Sequence, residues 1–182
     1  MNNSTVKKKI VDAFMELLTQ QPFSSIKVTN IINLAQISHM SFYRNYPDKY
    51  ALLEDICFND FSLFSKIYGS NASWRNVVLC ILNCIKNNQK FYNRALAEDC
   101  SIKMVGNATV RISKAYTGTA ASRYTQAIWS VVLADWRRNQ FVDSIDSVYS
   151  TLISNLPISD ILSGRDLERV LNKYECTNLE DF

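Results

Sequence analysis

Apolar positions along the 182-residue chain recur every three to four residues, the spacing of one stripe on an amphipathic helix. Val6, Ile10, Ala13, Phe14, Leu17 and Leu18 predict a first helix, stopped by Pro22. A second covers about Val28 to Ala35, with Val28, Ile31, Ile32 and Ala35 turned inward. Gln36 and Ile37 form a turn, and Ser38 is placed to cap a third helix from about His39 to Asn45, ending before Pro47. Asp48 caps a fourth, where Leu52, Leu53, Ile56, Phe61 and Phe64 continue the pattern. The polar run from Tyr68 to Ser73 reads as a linker.

The later part is also helical by spacing. Trp74, Val77, Val78, Ile81, Leu82 and Ile85 mark a strong helix that ends around "NNQKFYN". Residues 98–118 are less regular, and "VGNATV" and "TGTAAS" read as breakers around one short helix. A long helix from about Thr119 to Arg138 is apolar on more than one face, which predicts neighbours on both sides. Val142, Ile145, Val148, Tyr149, Leu152 and Ile153 give another helix, stopped by Pro157. Leu167, Val170, Leu171 and Tyr174 mark a last one behind a Ser163–Asp166 capping box.

Composition narrows the fold class. Gly (4) and Pro (3) are too scarce for the many turns of a sandwich or barrel, so an all-α protein is expected. The organisation expected is a head at 1–50 and a helical body at 51–182, joined by a helix over 48–68. Five cysteines, an odd number, and an N-terminus without the apolar run of a secretory signal point to reduced thiols and a cytoplasmic location. No stretch reaches the roughly 20 apolar residues of a membrane span, so no membrane partner is expected. Cys80 and Cys84 are four apart, but with one histidine in the chain they read as buried structural thiols rather than a metal site. No phosphate-cradling glycine loop, nucleophile elbow or histidine dyad is present, so no enzyme activity, cofactor or metal is expected. Glu98 and Asp99 read as a solvated helix end.

The net charge of +3 is uninformative until it is located. Lys7, Lys8, Lys9, Lys27, Arg44 and Lys49 outnumber Asp12, Glu16 and Asp48 in the first 50 residues, and the remainder is balanced. A basic segment on a neutral body suits a polyanion partner, although a solvated helix start has the same composition. Two short helices across a tight turn in that segment form a helix-turn-helix candidate. Ser, His and Arg on the second helix can bond base edges or phosphates, and a Tyr hydroxyl can reach a phosphate. Lys49 opens the next helix, where it opposes the helix dipole but is placed for a phosphate. Phe42 and Tyr46 are the expected anchors beneath. An ordinary helical hairpin with a polar outer face shows the same pattern.

The run Ala35-Gln36, Ile37-Ser38, Ser41-Phe42-Tyr43, Tyr46, Asp48-Lys49-Tyr50, Leu52-Leu53 is similar, with intact spacing, to the DNA-binding domain of tetracycline-repressor-like (TetR) regulators. The resemblance runs from about Val6 to Ile56. Segments "CIKNNQKFYNRAL" and "YTQAIWSVVLADWRRN" more weakly resemble the dihydroxyacetone-operon activator group of that family. Three positions depart from the family pattern. Gln36 stands for the turn glycine, Met40 for a small residue on the recognition helix, and Lys27 for the Thr that caps the second helix, with Ser25 as a poor substitute.

The resemblance implies a ligand-responsive transcriptional regulator, acting as a repressor on a palindromic operator in double-stranded DNA. The implied DNA-facing residues are Lys27, Thr29, Ser38, His39, Met40, Ser41, Tyr43, Arg44 and Lys49. It also implies a homodimer, and one short recognition helix reads too few base pairs alone, which argues the same way. The expected interface holds Ile128, Val132, Trp136, Ile145, Tyr149 and Leu152. A small-molecule effector pocket is expected among Phe64, Tyr68, Phe91, Tyr92, Tyr116, Tyr124 and Trp129. The competing reading is a helical protein-interaction module, a co-regulator with a degenerate helix-turn-helix.

Overall fold

The computed structural model describes residues 3–65, 73–117 and 123–157. Among these it has nine α-helices, one 3-10 turn and no strand. The head contains α1 (Asn3–Gln20), the 3-10 turn Phe23–Ser25, α2 (Val28–Ala35) and α3 (His39–Asn45). The long α4 (Lys49–Ser65) leads into a body of α5 (Trp74–Asn87), α6 (Gln89–Ala95), α7 (Asp99–Thr117), α8 (Arg123–Arg138) and α9 (Ile145–Asn155).

The apolar stripe of α1 is buried as its spacing requires. Ile10, Phe14 and Leu18 enter one core with Phe23, Ile31, Phe42 and Leu52, and Phe14 meets Phe23 edge-on at 6.2 Å. Two expected caps form. Ser38 Oγ accepts the Ser41 N–H at 3.2 Å, and Asp48 Oδ1 accepts the Ala51 N–H at 2.8 Å. Pro47 separates the two helices. Ser73 likewise caps α5. α4 runs unbroken across residues 50 and 51, so head and body share one helix. It packs along α7, where Glu54 accepts from Asn107 at 3.1 Å and from Arg111 at 2.9 Å.

Three expectations are corrected. "NNQKFYN" does not merely end α5 but starts a separate helix, α6. The stretch read as broken is one helix over Asp99–Thr117, since α7 continues through Gly106. Helix α9 starts at Ile145 behind the Ser144 cap, leaving Val142 outside it. Gly106 survives inside a helix because α8 lies against it: a Cβ there would sit 2.5 Å from Ser130 Oγ and 3.0 Å from the Gln126 carbonyl. The capping box at Ser163 and its expected helix, the linker short of Ser73, and the expected helix start at Thr119 lie outside the described residues.

Candidate nucleic-acid interface

The turn between α2 and α3 is made by Gln36, whose φ of 51° and ψ of 53° are left-handed. A side chain there costs roughly 1–2 kcal/mol, which the family's glycine would not incur. Gln36 N–H still bonds back to the Asn33 carbonyl, and Ile37 N–H bonds to that of Ile32. The start of α2 is held differently from expectation. Asn30 Oδ1 accepts the Lys27 N–H at 2.9 Å, and Ser25 takes no part. The Lys27 ammonium has no lone pair, so the capping runs one way only.

Helix α3 sits on Phe42, which is fully buried, and ends at the buried Tyr46. These are the anchors that the sequence suggested. The Tyr46 hydroxyl donates to Asp55 on α4 at 3.0 Å. Burial and then the Asp55 charge push the tyrosine pKa up. Burial also pushes the Asp55 carboxyl up. The Lys7 ammonium at 2.8 Å and the tyrosine hydroxyl outweigh it, holding that carboxyl below the usual carboxylate value.

The opposite face of α3 points to solvent. Met40 is 72% exposed and Tyr43 55%, and His39 and Arg44 are exposed with them. Lys27 and Thr29, at the start of α2, are exposed as well. Tyr43 packs its ring edge-on against Phe42, centroids 5.4 Å apart. Ser38 and Ser41 share a hydroxyl–hydroxyl bond of 2.9 Å. A groove of about 560 Å³ opens between the start of α1 and α3, lined by Val6, Gln36, Ile37, Ser38, Ser41, Arg44 and Asn45. Gln36, read from sequence only as a turn residue, and Asn45, read only as a helix end, were not among the expected DNA-facing residues; their place beside this groove adds them.

Lys49 is used differently from the expected phosphate contact. Its ammonium donates to the carbonyls of Phe23 at 2.7 Å, Ser24 at 3.0 Å and Ile26 at 2.8 Å. It also lies 4.6 Å from the Phe23 ring centre. All three of its N–H donors are thereby occupied, and burial lowers its pKa despite Cys100 and Glu98 nearby. Lys7 and Lys8 are likewise committed, to Asp55 and Asp12. Three of the six basic residues of the first 50 thus have partners within the chain, although Lys8 and Asp12 form an exposed pair.

The expected interface residues divide. Ile128, Val132, Ile145 and Tyr149 are half-buried, and Arg75 lies over the Tyr149 ring at 5.5 Å. Trp136 and Leu152 are core residues instead. Trp136 is 2% exposed, its Nε1–H reaches the Asp143 carbonyl at 3.2 Å, and Phe141 packs on it edge-on at 5.3 Å. Val131 (66%) and Val142 (74%) are exposed instead; spacing placed both in helices, but neither was expected at the interface. Val131, Ile128, Val132 and Val148 line an open groove of about 530 Å³ between α8 and α9.

Of the expected pocket residues, Tyr68 and the side chains of Phe64 and Tyr116 lie outside the described set. Phe91 and Tyr92 meet at 4.9 Å, and Phe61 stacks on Tyr92 at 5.9 Å. Tyr124 is exposed, and Trp129 is fully buried with no hydrogen-bond partner for its Nε1–H among the described residues. Cys80 and Cys84 are both buried. Cys84 Sγ donates to Asp60 at 3.1 Å, and burial pushes its pKa and that of Cys57 up, which keeps both as inert thiols. No cluster of three His, Cys, Asp or Glu residues suited to a metal forms among the described residues. No described helix is long and apolar enough to cross a membrane.

With this geometry in place, the chain can be compared with known proteins. No family model matches it. It is 29% identical over 100 residues to the HTH-type dhaKLM operon transcriptional activator DhaS of Lactococcus lactis subsp. lactis (strain IL1403), a match that covers 54% of each chain. The chain therefore spans about half the length of that curated relative. Among solved structures, a TetR transcriptional regulator from Streptococcus agalactiae 2603V superposes with a TM-score of 0.57 at 19% identity, covering 85% of this chain and 96% of that one. A dihydroxyacetone kinase operon activator DhaS superposes more loosely, with a TM-score of 0.45 at 20% identity over 82% of this chain and 92% of that one, and bears no weight here. The described residues, an exposed α3 on a three-helix head followed by a helical body, thus have the fold of a TetR transcriptional regulator.

Proposed function

We propose that this chain is a transcription regulator that reads a palindromic operator as a homodimer in the cytoplasm. The observation that carries the proposal is the surface of α3, where His39, Met40, Tyr43 and Arg44 stand in solvent over the buried Phe42. Anchored from below, the helix presents its outer face to a major groove. In this reading His39, Ser41 and Arg44 meet base edges, Met40 meets a thymine methyl, and Tyr43, Lys27 and Thr29 meet phosphates. Ser38 and Ser41 exchange their mutual bond for DNA contacts. Lys49 leaves the DNA-facing set, because a phosphate would have to compete with three carbonyls already bound.

The second copy docks on the α8–α9 groove, where the exposed Val131 stands beside Ile128, Val132 and Val148. Response to a small-molecule effector is supported by the Trp129 Nε1–H, a buried donor that an acceptor atom on a ligand would satisfy. The regulator acts as a repressor, so deleting the gene raises transcription beside its operator. A fall would mark an activator, which is how the Lactococcus relative is named.

Genome-wide selection of bound DNA fragments, followed by gel shift on the enriched sites, tests the proposal. The expected result is sequence-specific retardation that weakens steeply with salt. No enriched sequence, or retardation indifferent to sequence, would overturn it. Arg44→Ala is expected to cost about 1–3 kcal/mol of specific binding and to relax one base position. A loss spread evenly over all sites would assign Arg44 to phosphate instead.

A further inference from the structure

The head is joined to the body at more than α4. Helix α1 packs on α6. This junction is incompletely filled: a groove of about 260 Å³ lies along it, lined by Met15, Leu18 and Thr19 from α1 and by Asn88, Phe91 and Arg94 on the body side. Loose apolar packing around a groove fixes an angle poorly, because small rotations change little contact. Beside it is a polar contact of defined direction. Ser24 N–H, in the 3-10 turn, donates to both carboxylate oxygens of Glu98, at 3.2 and 3.1 Å. The two residues are 74 positions apart in sequence.

Both partners of this contact are braced. On the head side, the Lys49 ammonium grips the carbonyls of Phe23, Ser24 and Ile26, which fixes the turn and aims the Ser24 N–H outward. On the body side, Glu98 stands immediately before α7, and its carbonyl accepts from Ser101 N–H at 3.0 Å, Ile102 N–H at 2.9 Å and Ser101 Oγ at 2.9 Å. Helix α7 in turn packs on α4, α5 and α8. A chain of contacts therefore runs from the start of α7, through one carboxylate, to the turn that precedes α2.

We infer that Glu98 is a positioning residue for DNA reading, a strut that sets the angle of the helix-turn-helix head on the body and thereby the half-site separation the dimer accepts. The inference rests on the dimeric regulator reading above. In a twofold dimer the separation of the two recognition helices must match the operator, so an error in head angle appears as a change in preferred spacing. Glu98 touches no base. Its substitution changes which spacing is bound and leaves the base sequence read within each half-site alone.

The test uses the full chain and an operator enriched from selected fragments, with one or two base pairs inserted or removed between its half-sites. Wild type is expected to lose at least tenfold in affinity for each base pair of displacement. Glu98→Ala is expected to flatten that profile to within about threefold while retaining the half-site sequence preference. Glu98→Gln keeps an acceptor oxygen and is expected to restore the profile. Amide exchange gives a readout that needs no DNA. Protection at Ser24 is expected to fall in Glu98→Ala, with α1 and α7 protected as before. An unchanged spacing profile or unchanged Ser24 protection in a folded Glu98→Ala protein would overturn the strut alone. Absence of any sequence-specific binding by wild type would overturn the regulator reading, and the spacing role with it.

Discussion

Lys49 shows how one residue can satisfy a motif and serve another purpose. Its position at the start of a helix matches the pattern of a phosphate contact, yet its three donors close on the 3-10 turn. Lys49→Met should lower stability by about 1.5–3 kcal/mol in urea denaturation, the range for hydrogen bonds to a charged group. It should leave the salt dependence of operator binding unchanged; a phosphate contact would instead reduce the slope by about 1. Tyr46 provides a second check. Its hydroxyl helps to hold the Asp55 carboxyl below its ordinary value. A carboxyl lowered on folding adds stability above its unfolded pKa, and this is lost as pH falls through the folded value. Tyr46→Phe should therefore destabilise by about 1–2 kcal/mol at neutral pH, and the gap to wild type should narrow on acidification. A gap that stayed constant in denaturation at acid pH would refute the coupling.

At the level of elements, α7 separates local propensity from tertiary demand. "VGNATV" has the composition of a break, and residues of that kind lower helix propensity by no more than about 1 kcal/mol each. Packing against α4 and α8 outweighs that cost, and Gly106 is the position that lets α8 approach. Gly106→Ala would improve helix propensity in an isolated peptide. In the protein it should destabilise by about 1–3 kcal/mol, because the added carbon meets Ser130 Oγ and the fixed Gln126 carbonyl. Thermal denaturation decides the sign, and a stabilised variant would show that α8 can yield. By contrast, α2 and α3 were legible almost to the residue, since Pro47 and the caps Ser38 and Asp48 act within four residues of the ends they define.

For the whole molecule, the proposed assembly depends on which apolar residues of α8 and α9 remain uncovered. Val131→Glu, on the exposed rim of the groove, should dissociate a dimer in sedimentation equilibrium while the monomer keeps its helical signal. Trp136→Ala should instead cost about 3–5 kcal/mol of stability, because Trp136 is packed inside one chain. A dimer indifferent to Val131→Glu would move the interface elsewhere. The sequence by itself determined the all-helical class, the turn at Gln36, the caps, and the array from Ser38 to Arg44 with its anchor Phe42. Each of these follows from residues a few positions apart, where spacing fixes the phase of a helix. Only the tertiary structure decided that Lys49 turns inward, that Glu98 reaches Ser24, that Gly106 belongs inside a helix, and that Val131 rather than Trp136 faces out. Periodicity gives the side of a helix on which a residue lies, but its partner there comes from a distant part of the chain, and the contact exists only once both are packed.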